Sequence, residues 1–452
     1  MEVIVLAGGL GTRLRSVVHE IPKCLAPITA PCAPGGSQFS LRAPEGPFSC
    51  SNPSDSPSRA PEVPVLCSSR PFLEYLLEWL GRYPVGHVVF SVGYLKEQII
   101  GFVKSREWPF SYDFAVEETP LGTGGGIRLA LSMCHSDQVF VVNGDTFYPV
   151  DLSAIPFDKA ITLALKPMKD FDRYGSVVLD DSSHSAPSSS HSAPSSCHSE
   201  RSEESFRIAA FLEKQHCDEG LINGGVYAID RSRLELSSLP EKFSFEKEVL
   251  EPGAAIGEIG GVVCDDYFID IGVPQDYDRA QWALPAWKAV QRASRAVMGS
   301  SARTLFLDRD GVLNRHIPDD YVRNWGMWEW MPGMLAEIKR WSAKFEHIIL
   351  ASNQRGVGKG VMTDADLSSI HGHMMMDIME AGGRLDLALY CTALDKNDAR
   401  RKPNIGMFQE AQALFPDIDA KSSVMLGDMP SDAAFARNCG ISFILLSPEE
   451  VS

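Results

Sequence analysis

The run Glu2-Val3-Ile4-Val5-Leu6-Ala7 breaks without transition into Gly8-Gly9-Leu10-Gly11-Thr12-Arg13. Much later Thr304-Leu305-Phe306-Leu307 breaks in the same way into Asp308-Arg309-Asp310-Gly311. Short apolar runs with no polar alternation suit strands buried on both faces, so each break marks a strand end meeting a loop. Similar runs follow the first break at 87–92, 138–142, 160–165 and 224–229, with helical patterns at 70–80 and 124–133 between them. After the second break come runs at 347–351, 385–390, 423–426 and 442–446, with helical patterns at 334–344, 364–381 and 407–414. Alternation of this kind predicts parallel sheets covered on both faces, and two starts predict two of them. The expected fold class is α/β, with two Rossmann-like, doubly wound domains.

The boundary lies where a mixed-charge helical pattern ends in Gly299-Ser300-Ser301, which places a first domain at 1–285, a linker at 286–301 and a second domain at 302–452. Two stretches near 31–69 and 180–205 are rich in Pro, Ser, Gly or His and read as disordered insertions in loops. With 452 residues there is chain enough for separate cores. A net charge of −17 argues against nucleic-acid or anionic-membrane partners while leaving room for a local phosphate pocket. The N-terminus lacks a basic region and cleavage site, and no uncharged apolar stretch is long enough to span a bilayer, so a cytoplasmic protein is expected. Ten scattered cysteines without a C-x-x-C pair predict neither disulfides nor zinc.

Ligands of open parallel sheets bind beyond the carboxyl ends of the strands, where Gly8, Gly9, Gly11 and Thr12 must lie. Backbone amides there can approach phosphates, and Arg13 and Lys23 add positive charge; a tight turn alone would also explain the glycines. The series Leu6 to Arg15 with Pro22-Lys23, then Pro120-Leu121-Gly122-Thr123-Gly124-Gly125, Asn143-Gly144-Asp145, Phe211-Leu212-Glu213-Lys214, Asn223-Gly224-Gly225 and Phe268-Ile269-Asp270-Ile271-Gly272 resembles the sugar nucleotidyltransferase family in content and order. The resemblance implies a GT-A-like sheet. It also implies that the loop, Arg13 and Lys23 hold the nucleotide phosphates, that Gly122 and Thr123 border the base, and that Glu213, Lys214, Asn223 and Gly224 contact the sugar phosphate. Asp145 and Asp270 would share a magnesium ion that neutralises charge during in-line attack on the α-phosphorus. Taken alone, Asp145 also reads as a cap or turn residue. The chain departs from the family pattern in the 31–69 insertion.

The second break resembles the haloacid dehalogenase-like phosphatases, whose first motif is D-x-D-G at a strand end. That implies Asp308 as nucleophile and Asp310 as general acid and base, with the motifs at Ser352-Asn353-Gln354, Arg401-Lys402-Pro403 and Gly427-Asp428 supplying phosphate contacts and a magnesium site of Asp308, Asp310 and Asp428. Singly, Lys402 also reads as a surface lysine and Asp428 as a turn. The wording of these motifs looks most like the heptose 1,7-bisphosphate 7-phosphatase and histidinol-phosphatase group, with motif spacing too tight for a cap domain. Many members carry a C-x-H and C-x-C zinc loop, whereas this chain has only Cys391 there, so no zinc is expected.

A 7-phosphatase yields the sugar 1-phosphate that a nucleotidyltransferase consumes. Together the two resemblances imply small-molecule substrates, namely heptose bisphosphate, heptose 1-phosphate and GTP, with GDP-heptose as product. A mannose or amino-sugar 1-phosphate is the competing substrate reading, and a catalytically inactive nucleotide-binding module is the competing class.

Overall fold

The structure is a computed structural model that describes residues 1–9, 14, 17–18, 20–29, 69–180, 205–212 and 214–447. Most of the two stretches read as insertions therefore lies outside the described residues. Two α/β units are built on two principal sheets. The larger has nine strands in the order Ser111–Val116, His87–Val92, Glu2–Leu6, Gln138–Asn143, Cys217–Asp230, Ile161–Phe171, Ile259–Val263, Phe206–Phe211 and Ser176–Leu179. Its first four strands are parallel, and the antiparallel strand Cys217–Asp230 then joins them to a mixed half. The sheet is thus parallel only where strands alternate with helices, as they do up to Gln138–Asn143. Beyond it the chain runs largely from strand to strand, and such connections favour antiparallel pairing.

Burial follows the strand period of two. Val3 and Val5 face one core with the helix Phe72–Leu80, while Ile4 faces another with the helix Gly122–Leu131. The smaller sheet is wholly parallel, in the order Leu387–Cys391, His347–Asn353, Thr304–Leu307, Ser423–Gly427 and Ser442–Leu445. Leu305 and Leu307 enter the core on one face, and Phe306 enters the core on the other. Helices Met334–Lys344, Asp364–Glu380, Gly406–Leu414 and Pro430–Cys439 cover it, and no separate cap unit appears among the described residues.

Residues 286–299, read as linker from sequence, form the second part of the helix Pro274–Gly299. Its beginning packs on the first unit through Tyr277, Ala280 and Leu284. Its end packs on the second through Ala289, Val290, Ala293 and Val297. The polar surface pattern of this segment hid the buried stripe, because the few larger residues Trp287, Val290 and Val297 are interspersed with small alanines. No described helix is long and apolar enough to cross a membrane.

Candidate active sites

In the larger unit, the strand Glu2–Leu6 delivers Gly8 and Gly9 to the carboxyl end of the sheet. Glu117 ties the neighbouring loops together: Ser91 Oγ donates to its Oε1 at 3.1 Å, and the Leu121 N–H donates to its Oε2 at 3.0 Å. A short ribbon pairs Thr146–Phe147 with Ile269–Asp270, and the Ile271 N–H donates to the Asp145 carbonyl at 3.0 Å. Asp145 and Asp270 are thereby brought into one place with Lys23, whose Nζ stands 3.2 Å from Asp145 Oδ2. Burial, and then the nearby Asp145 charge, push the Asp270 carboxyl upward, although the Gly272 N–H donates to it at 2.7 Å. A buried acid with a second carboxylate and a lysine beside it suits a divalent cation and phosphates.

Other expected contacts of this site are engaged within the fold. Thr123 Oγ1 donates to Glu246 Oε2 at 2.9 Å and accepts from the Phe245 N–H at 2.9 Å. Gly122 sits at φ +74° against the Phe243 carbonyl. Asn223 Nδ2 donates to Tyr227 Oη at 2.9 Å, and its Oδ1 accepts from the Gly225 N–H at 3.0 Å. Gly224 lies flat on Tyr148, where an added Cβ would come within 2.2 Å of the ring. Lys214 is exposed. Gly11, Thr12, Arg13 and Glu213 lie outside the described residues.

In the smaller unit, Thr304–Leu307 ends in Asp308, which is buried. Lys402, itself 2% exposed, reaches Asp308 Oδ1 at 3.0 Å and Asp432 Oδ1 at 2.6 Å. Burial alone would lower the lysine's pKa, but these two carboxylates hold it above its ordinary value. Asp428 closes the group, since one oxygen each from Asp308, Asp428 and Asp432 lies within 4.8 Å of the others. Burial and then the Asp308 and Asp432 charges push the Asp428 carboxyl up to about 8, and its Oδ1 is buried without a hydrogen bond. An orphaned carboxylate oxygen among like charges is the environment a magnesium ion relieves, so these residues fit one.

Asp310 is held from several sides. Arg309, fully buried, pairs with both of its oxygens at 2.9 and 3.0 Å; Asn314 Nδ2 donates to Oδ1 at 3.0 Å and Gln354 Nε2 to Oδ2 at 2.9 Å. Although burial opposes it, the Arg309 charge and these donors bring the Asp310 carboxyl below its usual range. Gly311, at φ +85°, is the only residue type that fits next, because a Cβ would stand 2.0 Å from Asp428 Oδ2. Two expected phosphate contacts have other partners. Asn353 is locked onto the Lys402 backbone, receiving its N–H on Oδ1 and donating Nδ2 to its carbonyl, both at 3.0 Å. Arg401 folds back to donate to the Leu394 carbonyl. Ser352 is buried beside Gln354, whose Nε2 donates to its Oγ at 3.0 Å.

Residues 305–451 match the family model described as polynucleotide kinase 3 phosphatase. Over 289 residues the chain is 36% identical to the D-glycero-alpha-D-manno-heptose 1-phosphate guanylyltransferase of Aneurinibacillus thermoaerophilus, covering 63% of this chain and 98% of that one. The protein of the same description from Campylobacter jejuni is 33% identical, over 61% of this chain and 97% of that one. Over 135 residues, 30% of this chain and 71% of the relative, it is 38% identical to the D-glycero-alpha-D-manno-heptose-1,7-bisphosphate 7-phosphatase of Mycobacterium tuberculosis. The guanylyltransferase relatives align with the N-terminal part and the phosphatase with the C-terminal part. The chain belongs to both families. It is a bifunctional member, because its N-terminal part alone spans almost the whole Aneurinibacillus guanylyltransferase.

Several residues of this bifunctional chain's sites escaped the sequence reading. Asp432 lies in the first turn of the helix Pro430–Cys439, directly after the loop that carries Asp428, and its side chain accepts from the Met429 N–H at 3.0 Å. Arg309 and Gln354 adjoin the recognised motifs, but their pairing with Asp310 depends on the fold. Glu117 had no sequence signal at all.

Proposed function

We propose that this chain performs two consecutive steps on one sugar. Its C-terminal unit removes the 7-phosphate of D-glycero-α-D-manno-heptose 1,7-bisphosphate, and its N-terminal unit transfers GMP from GTP to the resulting heptose 1-phosphate, giving GDP-heptose and pyrophosphate. The observation that carries this is the adjacency in one chain of relatives whose substrate and product interlock.

In the first step a carboxylate oxygen of Asp308 attacks phosphorus and the bond to the C7 oxygen breaks. Asp310, which Arg309 and its donors hold ionised in the free protein, gains a proton when the phosphate dianion enters beside it, gives that proton to the C7 oxygen, then takes one from the water that hydrolyses the aspartyl phosphate. Lys402 balances the negative charge around Asp308, and Ser352 borders the phosphoryl group. In the second step an oxygen of the sugar 1-phosphate attacks the α-phosphorus of GTP and pyrophosphate leaves; Lys23 and Arg13 steady the phosphates and the Gly8-Gly9 backbone meets them. Asp308, Asp428 and the Asp310 carbonyl, with Asp432 beside them, would hold magnesium in the phosphatase unit, and Asp145 and Asp270 would hold it in the other; the ion would supply neutralisation of the charge that gathers on the phosphoryl oxygens. The need for GTP, and six free cysteines among the described residues, suit a cytoplasmic location.

The test is incubation of the purified chain with magnesium and the α-heptose 1,7-bisphosphate, with and without each nucleoside triphosphate. Phosphate release without nucleotide, followed by pyrophosphate and a GDP-sugar mass only with GTP, is the expected result. Phosphate release with no transfer from any nucleotide sinks the heptose assignment of the first unit.

A further inference from the structure

At the opposite end of the larger sheet from Gly8, three side chains distant in sequence meet. Glu2 opens the central strand, in register with His87 on its neighbour, and His135 comes from the turn before Gln138–Asn143. Glu2 Oε1 lies 3.0 Å from His87 Nδ1 and 3.3 Å from His135 Nδ1, and these ligand atoms all fall within 4.8 Å of one another. We propose that Glu2, His87 and His135 form a binding site for a transition-metal ion of the zinc class, at the far end of the strand from the Gly8-Gly9 loop.

Bonds of about 2.0–2.1 Å from a tetrahedral zinc to its nitrogen and oxygen ligands place those ligands about 3.3 Å apart, close to the two separations that Glu2 Oε1 makes with the imidazoles. The surrounding shell has the form such a site requires. The His87 Nε2 lies 3.1 Å from Asp113 Oδ2, so in the tautomer whose Nε2–H donates to that carboxylate the Nδ1 lone pair is available to a metal. Glu2 keeps Oε1 for the ion because its Oε2 is occupied by the backbone N–H groups of His135 and Ser136. His135 is 85% exposed on its side chain, so an ion has a path in and a fourth position for water. Six residues at ~3.3 Å each put Glu2 ~20 Å from Gly8, so the site stabilises the fold or senses metal rather than touching substrate. The expectation of no zinc rested on the cysteines and on short spacings. Neither shows a site assembled from three separate segments.

The test uses the full chain, stripped with a chelator and titrated with zinc in excess magnesium, which satisfies all-oxygen sites but not imidazoles. One zinc per chain should bind, with histidine nitrogen in its X-ray absorption spectrum. His135→Gln, an exposed change harmless to folding, should weaken that binding at least ~100-fold, and Asp113→Asn ~10–100-fold. Zinc surrounded by oxygen alone, or equal affinity in the wild type and both variants, means that the cluster is a hydrogen-bonded histidine pair and overturns the proposal.

Discussion

Lys402 is one buried ammonium shared by Asp308 and Asp432 in the phosphatase unit. Lys402→Ala leaves two buried carboxylates without a counter-ion, a loss of about 3–5 kcal/mol when no metal is supplied. Phosphate release should fall at least about a hundredfold, while GTP-dependent transfer to added heptose 1-phosphate should continue. Loss of both activities together would instead mean general misfolding. His371 illustrates a second residue-level effect. Burial, and then the Arg309 guanidinium 3.4 Å away, push its pKa down to about 4. The folded state therefore holds fewer protons than the unfolded state between about pH 6.5 and 4, so stability is present above 6.5 and is lost as pH falls. Between pH 7.5 and 5 the loss should be about 2 kcal/mol, and it should vanish in His371→Gln. Parallel urea-unfolding shifts in the two proteins would refute this. At this scale the sequence showed which acids and lysines the motifs hold. It did not show Arg309 gripping Asp310, because neighbours along a chain meet only where the local backbone turns them together.

The end of the strand His347–Asn353 holds the loop that carries Lys402, and Asn353 is the clip between them. Asn353→Ala removes two hydrogen bonds worth about 1 kcal/mol each, so the lysine should wander and kcat for phosphate release should drop about tenfold or more, with KM little changed. Asn353→Asp keeps the acceptor for the Lys402 N–H and should recover part of the rate. A change in KM alone would return Asn353 to direct substrate contact. Elements were the most legible level of this chain. The strands Thr304–Leu307, His347–Asn353 and His87–Val92 begin where their runs begin, since a strand buried on both faces is a nearly continuous apolar stretch rather than an alternating one. The direction of pairing was less legible. Cys217–Asp230 begins with exposed polar residues and pairs antiparallel to Gln138–Asn143, and a run such as 224–229 carries no mark of its orientation.

At the scale of the whole molecule the helix Pro274–Gly299 makes the two units interdependent. It begins four residues after Asp270 and ends as a wall of the phosphatase core. Between those ends Trp287 meets Phe147 at 4.8 Å and lies under Arg82, Lys288 reaches Glu78 at 3.3 Å, and Ser294 and Gln291 donate to the buried Glu337. A phosphatase fragment cut at residue 300, where the composition suggests a linker, loses Val290 and Val297 along with three alanines from its core. Full burial of each valine contributes about 1.5–3 kcal/mol, so the fragment 300–452 should be about 3–6 kcal/mol less stable than the fragment 274–452. At about 2–4 °C per kcal/mol for a domain of this size, its Tm should be lower by about 6–24 °C, and its exposed core face should favour association. Equal melting of the two fragments would show that the helix only tethers the units. Unequal melting means that a bifunctional chain of this kind has no linker to cut, and that separating its two activities requires point substitutions rather than truncation.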